Sequence, residues 1–199
     1  MPLPSAQPRQ QLHTRQVEYR GYLRDDGLWD IEAQMTDIKT YAIDRSDGSQ
    51  LAAGQPVHNM HIRVTVDDEM VIREIATAMD DTPYAECGQG VDPMQKMVGT
   101  KMGPGWRVAI ERALGGVQGC THLRELLFNM ATAGYQTIPV YIERQRLEAG
   151  GELTDHAVPP SHLGKCISWD FAGPVVARIY PQFSGWVPVK RMDKPGTAQ

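Results

Sequence analysis

Two alternating segments on either side of a tight-turn signal constrain the fold most. From Val17 to Leu23, Gly21 and the apolar residues occupy every second position, with polar or charged residues between most of them. Asp25-Asp26-Gly27 follows, and an Asp-Gly pair accepts the positive φ values of a tight hairpin turn. Residues 29–35 then alternate in the same way. Because a period of two places side chains on opposite faces, the pattern predicts an antiparallel hairpin.

Two further strands are predicted after this hairpin. Residues 57–66 alternate cleanly between apolar and polar side chains. Asp67-Asp68-Glu69 makes a turn, and residues 70–79 are predicted to be a fourth antiparallel strand, although their apolar residues also suit a short helix. Residues 43–55 indicate a loop or an irregular hairpin, because they contain two glycines beside polar residues.

The hydrophobic period then changes to that of a helix. Asp92-Pro93 begins a predicted short helix that ends at Gly99, Pro104 opens a second, and Thr121 caps a third. Strands followed by helices favour the α+β class over a parallel βαβ sheet. The expected fold is a small antiparallel sheet of three to four strands packed against three or more helices.

The C-terminal third carries weaker signals. Residues 141–149 suit a helix, residues 175–180 suit a short strand, and residues 190–199 resemble a disordered end. The predicted organisation has three parts: a flexible arm over residues 1–12, a core α+β domain over 13–136, and a C-terminal extension over 137–199 that packs on the core.

Composition limits the classes of partner. The net charge is −4 and no basic run occurs, so no nucleic-acid partner is expected. No segment reaches the roughly 18 apolar residues of a membrane span, and the N-terminus lacks a signal-peptide apolar region. Three cysteines, Cys87, Cys120 and Cys166, make no disulfide framework. A cytoplasmic location with free thiols is therefore expected, and the oligomeric state is left open.

Gly119-Cys120-Thr121-His122-Leu123 carries the clearest chemical signal. It places a thiol and an imidazole at the start of an amphipathic helix, where the helix dipole stabilises a thiolate. His58, before the third strand, and Cys87 can approach helix N-termini in a sheet covered by helices. Two thiolates and two imidazoles would bind zinc tetrahedrally, or iron with open positions. The alternative is that both cysteines are small buried hydrophobes and that His58 only hydrogen-bonds locally.

Acidic and basic residues around the hairpin form a second candidate group. Paired carboxylates perform acid–base chemistry when burial or a neighbour raises one pKa. Charges on a turn and on the polar face of a strand are more often simply solvated. Arg15, beside His13, could bind an anionic carboxylate or phosphate through its planar fork. The group comprises Arg24, Asp25, Asp26, Asp30, Glu32 and Asp37.

Several separated motifs occur in a characteristic order: His13-Thr14-Arg15, Arg24–Glu32, Asp37-Ile38-Lys39, His58-Asn59-Met60, Pro83-Tyr84 with Cys87, Gly105-Trp106 and Gly119–Leu123. In this order they resemble a bacterial family catalogued as domain of unknown function 2889. The resemblance covers residues 13–136, with a looser continuation from Cys166 to Pro181. It implies no particular activity, since the family is named for the lack of an assigned function.

A more distant resemblance is carried by the segments Met60–Asp67, Val98–Thr100 and the helix from Cys120. In this order they are similar to the NifU-like iron–sulfur scaffold proteins. The resemblance implies a NifU-like or SufE-like fold: a small antiparallel sheet with helices on one face and cysteines gathered at one end. Cys120 corresponds to the last cysteine of that family, His58 lies near its acidic position, Pro56 stands where its first cysteine would be, and Cys87 lies about a helical turn past its second.

The first functional hypothesis is a metal-binding protein or metalloenzyme acting on a small organic acid or thioester. His58, Cys87, Cys120 and His122 would bind zinc or iron, either mononuclear or as an iron–sulfur centre. The candidates for holding substrate or for catalysis are Arg15, Arg24 and Asp26.

Two alternatives are kept. A non-catalytic iron–sulfur or metal carrier, or an accessory binding protein, would use the same cysteine-lined surface. A metal-free enzyme would use Cys120 as nucleophile and His122 as base. That pair is poorly placed if both residues lie on the helix, because residues two apart do not face one another, and it improves only if the helix starts later.

Overall fold

The computed structural model describes residues 2–45 and 47–187. The chain divides into two compact units, Met1–Tyr141 and Ile142–Gln199, each with its own buried apolar cluster. In the described part of the chain, no helix is long and apolar enough to span a membrane.

An antiparallel sheet forms the first unit's framework. The strands are β1 (His13–Leu23), β2 (Trp29–Lys39), β3 (Ile43–Asp44), β4 (Gln50–Leu51), β5 (Pro56–Val66) and β6 (Ile72–Asp81). Four of them form the sheet in the order β1-β2-β5-β6, which is also their order along the chain. The short strands β3 and β4 form a separate hairpin between β2 and β5, so the segment 43–55, predicted as a loop or an irregular hairpin, is a hairpin.

The predicted hairpin and the fourth strand are both confirmed. Leu23 of β1 faces Trp29 of β2 across the turn, and Gly27 there has a φ of +83°. One face of β2 is buried along its whole length, beginning at Trp29 and ending at Asp37. The inward face of this central strand therefore ends in a carboxylate.

Helices follow the sheet, as the α+β class requires. The segment predicted as a helix from Asp92 is a 3-10 turn that ends at Met97, and the helix predicted from Pro104 begins at Trp106. The helical segments of this region are the 3-10 turns Ala85–Gly90, Asp92–Met97 and Gly116–Gln118, and the helices α1 (Trp106–Leu114) and α2 (Thr121–Glu148).

Helix α2 is longer than its sequence pattern indicates. The carbonyl of Cys120 accepts a 3.0 Å hydrogen bond from the amide of Arg124, so Cys120 occupies the N-cap position and Thr121 is the first helical residue. Proline usually ends a helix, yet Pro139 lies inside this one. The separate helix predicted over residues 141–149 is therefore the last part of α2, which ends at Glu148.

Helix α2 packs along β1 between Leu126 and Thr137. A Cβ at Gly21 would overlap the side chain of Thr137, so glycine is what allows helix and strand to approach at this point. Nearer the start of the helix, the hydroxyl of Tyr19 donates to the carbonyl of Leu126 at 3.2 Å. The N-terminus of α2 consequently lies at the end of β1 that carries Arg15.

The second unit is built from short helical pieces. The predicted strand over residues 175–180 is wrong: Pro174–Ile179 forms helix α3. The amide of Ala177 donates to Gly173, and that of Tyr180 donates to Val176, which is the helical period. The remaining pieces are the 3-10 turns Leu153–Asp155, Ile167–Trp169 and Pro181–Phe183, around a core of Leu163, Val176, Tyr180 and Phe183.

The ends of the chain carry no described helix or strand. Residues 2–12 precede β1 and are exposed. The flexibility of that arm and the domain division at residue 136 stay predictions, and the end predicted to be disordered, residues 190–199, lies outside the described residues.

Candidate functional site

Asp37 lies at the centre of the candidate site. It is the last inward-facing residue of β2 and is only 3% exposed. The register places Arg15 of β1 on one side of it and His58 of β5 on the other. Directly opposed residues in antiparallel strands have Cβ atoms about 4.5–5.5 Å apart, so the sheet brings these three side chains together.

Both carboxylate oxygens of Asp37 are fully occupied by donors. The Nε and Nη2 atoms of Arg15 donate to Oδ1 and Oδ2 at 2.9 and 2.8 Å, a bidentate pair. His13 Nε2 lies 2.7 Å from Oδ1, and His58 Nδ1 lies 3.0 Å from Oδ2. A carboxylate offers about four lone-pair positions, and four donors use them here.

This donor set keeps Asp37 ionised. Burial alone would raise the pKa of the carboxyl group, but the hydrogen bonds from Arg15 and His13, the charge of Arg15 and the bond with His58 outweigh it. The pKa of Asp37 therefore lies well below its usual range. Because an ionised carboxylate only accepts, the facing nitrogen of His58 carries the proton, and in the neutral ring Nε2 keeps a free lone pair.

Arg15 links the sheet to the start of α2. Its remaining guanidinium nitrogen, Nη1, donates to Oε2 of Glu125 at 2.6 Å. All three nitrogens of this side chain thus bind carboxylates of the protein itself. The arrangement positions the first turn of the helix above Asp37.

His122, in that first turn, stacks close to His58. The ring centroids are 4.0 Å apart and the planes are inclined by 43°. Burial, and then repulsion from His58 and Arg15, lower the pKa of His122, against the opposing charges of Asp37 and Glu125. The neutral imidazole is therefore favoured, and this is the form that binds metals.

Cys120 lies beside His122 because the helix begins after it. Its Sγ atom is 4.0 Å from Nδ1 of His122. A Cβ at Gly90 would lie 2.9 Å from the Cβ of Cys120, so a glycine lets the turn Ala85–Gly90 pack against the cysteine. Cys87 belongs to this same turn and is partly buried.

The structure places one atom from each of Asp37, His58 and His122 within 4.8 Å of one another, an arrangement that could hold a metal ion. His58 and His122, which the sequence analysis named, are thus brought together. Neither Cys120 nor Cys87 belongs to this group in the described chain; Cys120 adjoins His122, and Cys87 lies in the turn that touches Cys120.

The other named residues lie elsewhere. Arg24 and Asp26 pair at 2.6 Å on the turn between β1 and β2. Arg15 precedes the end of β1 at Leu23 by eight residues, so at about 3.3 Å per residue that turn is roughly 25 Å from Asp37. Cys166 is exposed in the second unit.

Asp37 differs most from its predicted environment. It belongs to a group of acidic and basic residues expected to be solvated, yet it is buried. Extending the buried alternation of β2 by one more step, beyond Met35, places Asp37 on the inward face. An acidic residue at a core position signals a paired or ligating carboxylate.

Comparison with known proteins identifies a family but no closer relative. No curated protein matches the chain. No solved structure matches it either, so the NifU-like and SufE-like aspect of the predicted fold has no known structure to support it.

The family comparison agrees with the resemblance described above. The model for "Protein of unknown function (DUF2889)" matches residues 13–136, which include β1 to β6, α1, Asp37 and the start of α2. This match covers more than half of the chain, and the chain therefore belongs to the DUF2889 family.

Proposed function

We propose that this protein binds a transition-metal ion between His58 and His122, with Cys120 as a third ligand. The observation that carries the proposal is the 4.0 Å approach of two imidazoles over a buried carboxylate. Two rings this close cannot both be charged without strong repulsion. An ion shared between their lone pairs would turn the contact into a favourable one.

Asp37 is assigned the role of a positioning residue. Its lone pairs are already used by Arg15, His13 and His58, so direct ligation would require it to lose a donor. Metal-binding histidines commonly donate their other ring N–H to a carboxylate, which sets the tautomer and the ring orientation. The bond between His58 and Asp37 is of this kind.

The thiol of Cys120 suits the same ion. Zinc binds sulfur at about 2.3 Å and nitrogen at about 2.0–2.1 Å. The observed separation of 4.0 Å between Sγ and Nδ1 of His122 is shorter than the sum of those two lengths, so an ion at this Nδ1 can also touch Sγ. Cys120 does not join His58 and His122 within 4.8 Å, so its side chain would have to shift to reach an ion that His58 also binds. Mixed nitrogen and sulfur ligands favour zinc or iron over magnesium or calcium.

The identity of the fourth metal ligand distinguishes a metalloenzyme from a metal carrier. Cys87 and Gly90 are three residues apart in a 3-10 turn, where side chains three apart share a face, and Gly90 faces Cys120. If Cys87 ligates, the site is closed and fits a carrier. If water ligates, the site is open, and a bound ion would supply an activated water and a Lewis acid for hydrolysing a small thioester.

Arg15 is assigned the role of holding Asp37 and Glu125 in place, and it does not bind substrate. Each of its guanidinium nitrogens already donates to Asp37 or Glu125. Arg24 and Asp26 lie at the far turn, so a substrate anion at the metal would be held by other groups.

Elemental analysis of anaerobically purified protein tests the proposal. We expect about one zinc or iron ion per chain, and at least a ~10-fold loss of affinity in His58→Gln, His122→Gln and Cys120→Ser. His61→Gln and Cys166→Ser are matched controls that should keep the ion, because His61 pairs with Asp80 and Cys166 is exposed. A visible absorption spectrum distinguishes an iron–sulfur centre from mononuclear zinc. Full occupancy in all three site variants would overturn the proposal.

A metal-free thiol enzyme is the second candidate. The observation that favours it is that α2 begins at Thr121, so Cys120 precedes the helix and lies 4.0 Å from His122 Nδ1. The lowered pKa of His122 leaves a neutral imidazole able to accept the thiol proton. In metal-free protein carrying Cys166→Ser, this candidate predicts that iodoacetamide alkylates Cys120 faster than Cys87 and that His122→Gln slows the reaction. Equal rates at both cysteines would exclude it.

A further inference from the structure

The two edges of the sheet differ in how their backbone groups are satisfied. At the β6 edge, the Ile72 amide donates to Thr100 at 3.0 Å and its carbonyl accepts from the Gly99 amide at 2.8 Å. Further along the same strand, the side-chain amide of Gln95 donates to the Ile75 carbonyl at 2.8 Å. The chain itself therefore covers part of this edge.

The β1 edge is open. β1 pairs with β2 over eleven residues with no shift of register, and no backbone group of the described chain outside the sheet hydrogen-bonds to its backbone. Ten of its eleven residues are exposed, and Val17, Tyr22 and Leu23 each remain more than 40% exposed. Natural sheets protect such edges with charged side chains, proline, bulges or a covering segment. β1 contains no proline, lysine or bulge, and its charged residues are Arg15, Glu18 and Arg20.

The sequence of β1 is complementary to itself in one antiparallel register. Suppose that two copies keep their helix-covered faces on the same side of the joined sheet. Two residues that face one another across the new strand pair must then both have odd numbers or both have even numbers, because side chains alternate between the faces. A two-fold axis at Tyr19 places Glu18 of each copy opposite Arg20 of the other. An axis at Glu18 or at Arg20 would instead bring like charges together, which is unfavourable.

We propose that two copies of this chain join through β1, antiparallel and centred on Tyr19, to form one continuous eight-stranded sheet. The open backbone groups then pair with each other. Glu18 and Arg20, which pair at 2.6 Å within one strand, gain a second partner in the other copy. On the inward face, Leu23 of each copy lies opposite Arg15 of the other, and its exposed side chain becomes covered. This interface does not depend on metal binding.

Charge reversal on the full-length protein tests both the interface and its register. Sedimentation velocity over a range of concentrations should show a dimer for the natural sequence. Glu18→Arg and Arg20→Glu each place like charges opposite one another twice, so each should weaken the dimer about tenfold or more. The double variant Glu18→Arg/Arg20→Glu restores opposite charges and should recover the dimer.

Arg63→Glu is the matched control. Arg63 is an exposed arginine on β5, away from the edge, that pairs with Glu32 at 2.8 Å, and its reversal should leave the dimer unchanged. Circular dichroism should show that each variant is folded. A natural protein that stays monomeric at its highest soluble concentration contradicts the proposal, as does a dimer that both single reversals leave intact.

Discussion

Burial and ionisation coexist at Asp37 because the surrounding side chains supply a complete set of donors. A charge moved out of water loses several kcal/mol of hydration, which only close partners restore. Arg15 supplies two parallel hydrogen bonds and a positive charge, and His13 and His58 supply the remaining two bonds. The same contacts hold His58 and the first turn of α2 in place, so one residue links local stability to the candidate site.

Asp37→Asn should destabilise the protein by about 2–4 kcal/mol, because it leaves Arg15 without its buried counter-charge and places an amide N–H against other donors. Urea denaturation measures the difference. Asp80→Asn is the control: this exposed carboxylate pairs with His61, and the change should cost less than about 1 kcal/mol. Equal losses of unfolding free energy in the two variants would show that the contacts of Asp37 stabilise the protein no more than an exposed ion pair does.

Tyr19 should make stability depend on alkaline pH. Burial, and secondarily the charge of Glu125, raise the pKa of Tyr19, while a bond with Asn129 opposes the shift. A raised pKa in the folded state means that the neutral phenol stabilises the fold below about pH 10, the unfolded value, and that this contribution is lost as the pH rises through the folded pKa. The stability difference between the natural protein and Tyr19→Phe should therefore shrink above about pH 10 in urea denaturation series. A constant difference would contradict this assignment.

The residue types of the site were predictable, but their contacts were not. A Cys-x-His pair at a helix start is visible in the sequence, and so is a histidine before a strand. The proximity of His58 to His122 depends on how α2 crosses the sheet, and no local pattern encodes that crossing. The buried position of Asp37 differs in this respect, since it follows from the alternation of β2 alone and needs no knowledge of the helix crossing.

At the scale of elements, one close contact helps to fix where α2 lies on the sheet. Gly21 of β1 has no side chain at the point where Thr137 touches the strand. The hydroxyl of Thr137 donates to the Ala133 carbonyl at 2.9 Å, which holds that side chain in place. Because α2 carries Cys120 and His122 at its start, this contact also influences the geometry of the site.

Gly21→Ala should destabilise the protein by about 1–3 kcal/mol through overpacking against Thr137. The direction of this change in the free energy of unfolding is informative, because alanine in place of a strand glycine ordinarily stabilises a protein by a fraction of a kcal/mol. Adding Thr137→Ala should recover part of the loss, giving a coupling free energy in a double-mutant cycle of urea denaturation. Strictly additive effects would mean that the two residues do not meet in solution.

The strands were predicted more accurately than the later helical segments for a physical reason. A period of two over eight or more residues cannot be mistaken for a helix, as β2 and β5 show. The six residues 174–179 are too short for that distinction, and Pro174 at the first helical position decided the outcome in favour of a helix. Pro139 is misleading in the sequence, because a proline indicates the end of a helix, whereas α2 continues through it.

At the scale of the whole molecule, the two units have separate cores. The core of the first unit draws on residues between Trp29 and Ile138, and the core of the second draws on residues between Leu163 and Phe183. The family match ends at residue 136, close to the limit of the first core. The domain division at residue 136 stays a prediction, which rests on the weakening of the helical period of the apolar residues beyond Gln136.

A fragment of residues 1–149, which retains all of α2, should fold cooperatively and keep the candidate site. A chain of this length buries roughly 68–70% of its surface on folding, enough for an independent domain. Heteronuclear NMR spectra and thermal unfolding of the fragment measure this. Spectra of a disordered chain would show that the first unit needs residues 150–199.

The most direct test of the central claim is a cobalt(II) titration of the metal-free protein, followed by visible absorption. Cobalt occupies zinc sites and absorbs strongly when tetrahedral, with an additional band when a thiolate binds. We expect saturation near one equivalent, tetrahedral bands that are lost in His58→Gln and His122→Gln, and a thiolate band that is lost in Cys120→Ser but kept in Cys166→Ser. A spectrum that remains that of aqueous cobalt, with no saturable binding, would contradict the metal site formed by His58, His122 and Cys120.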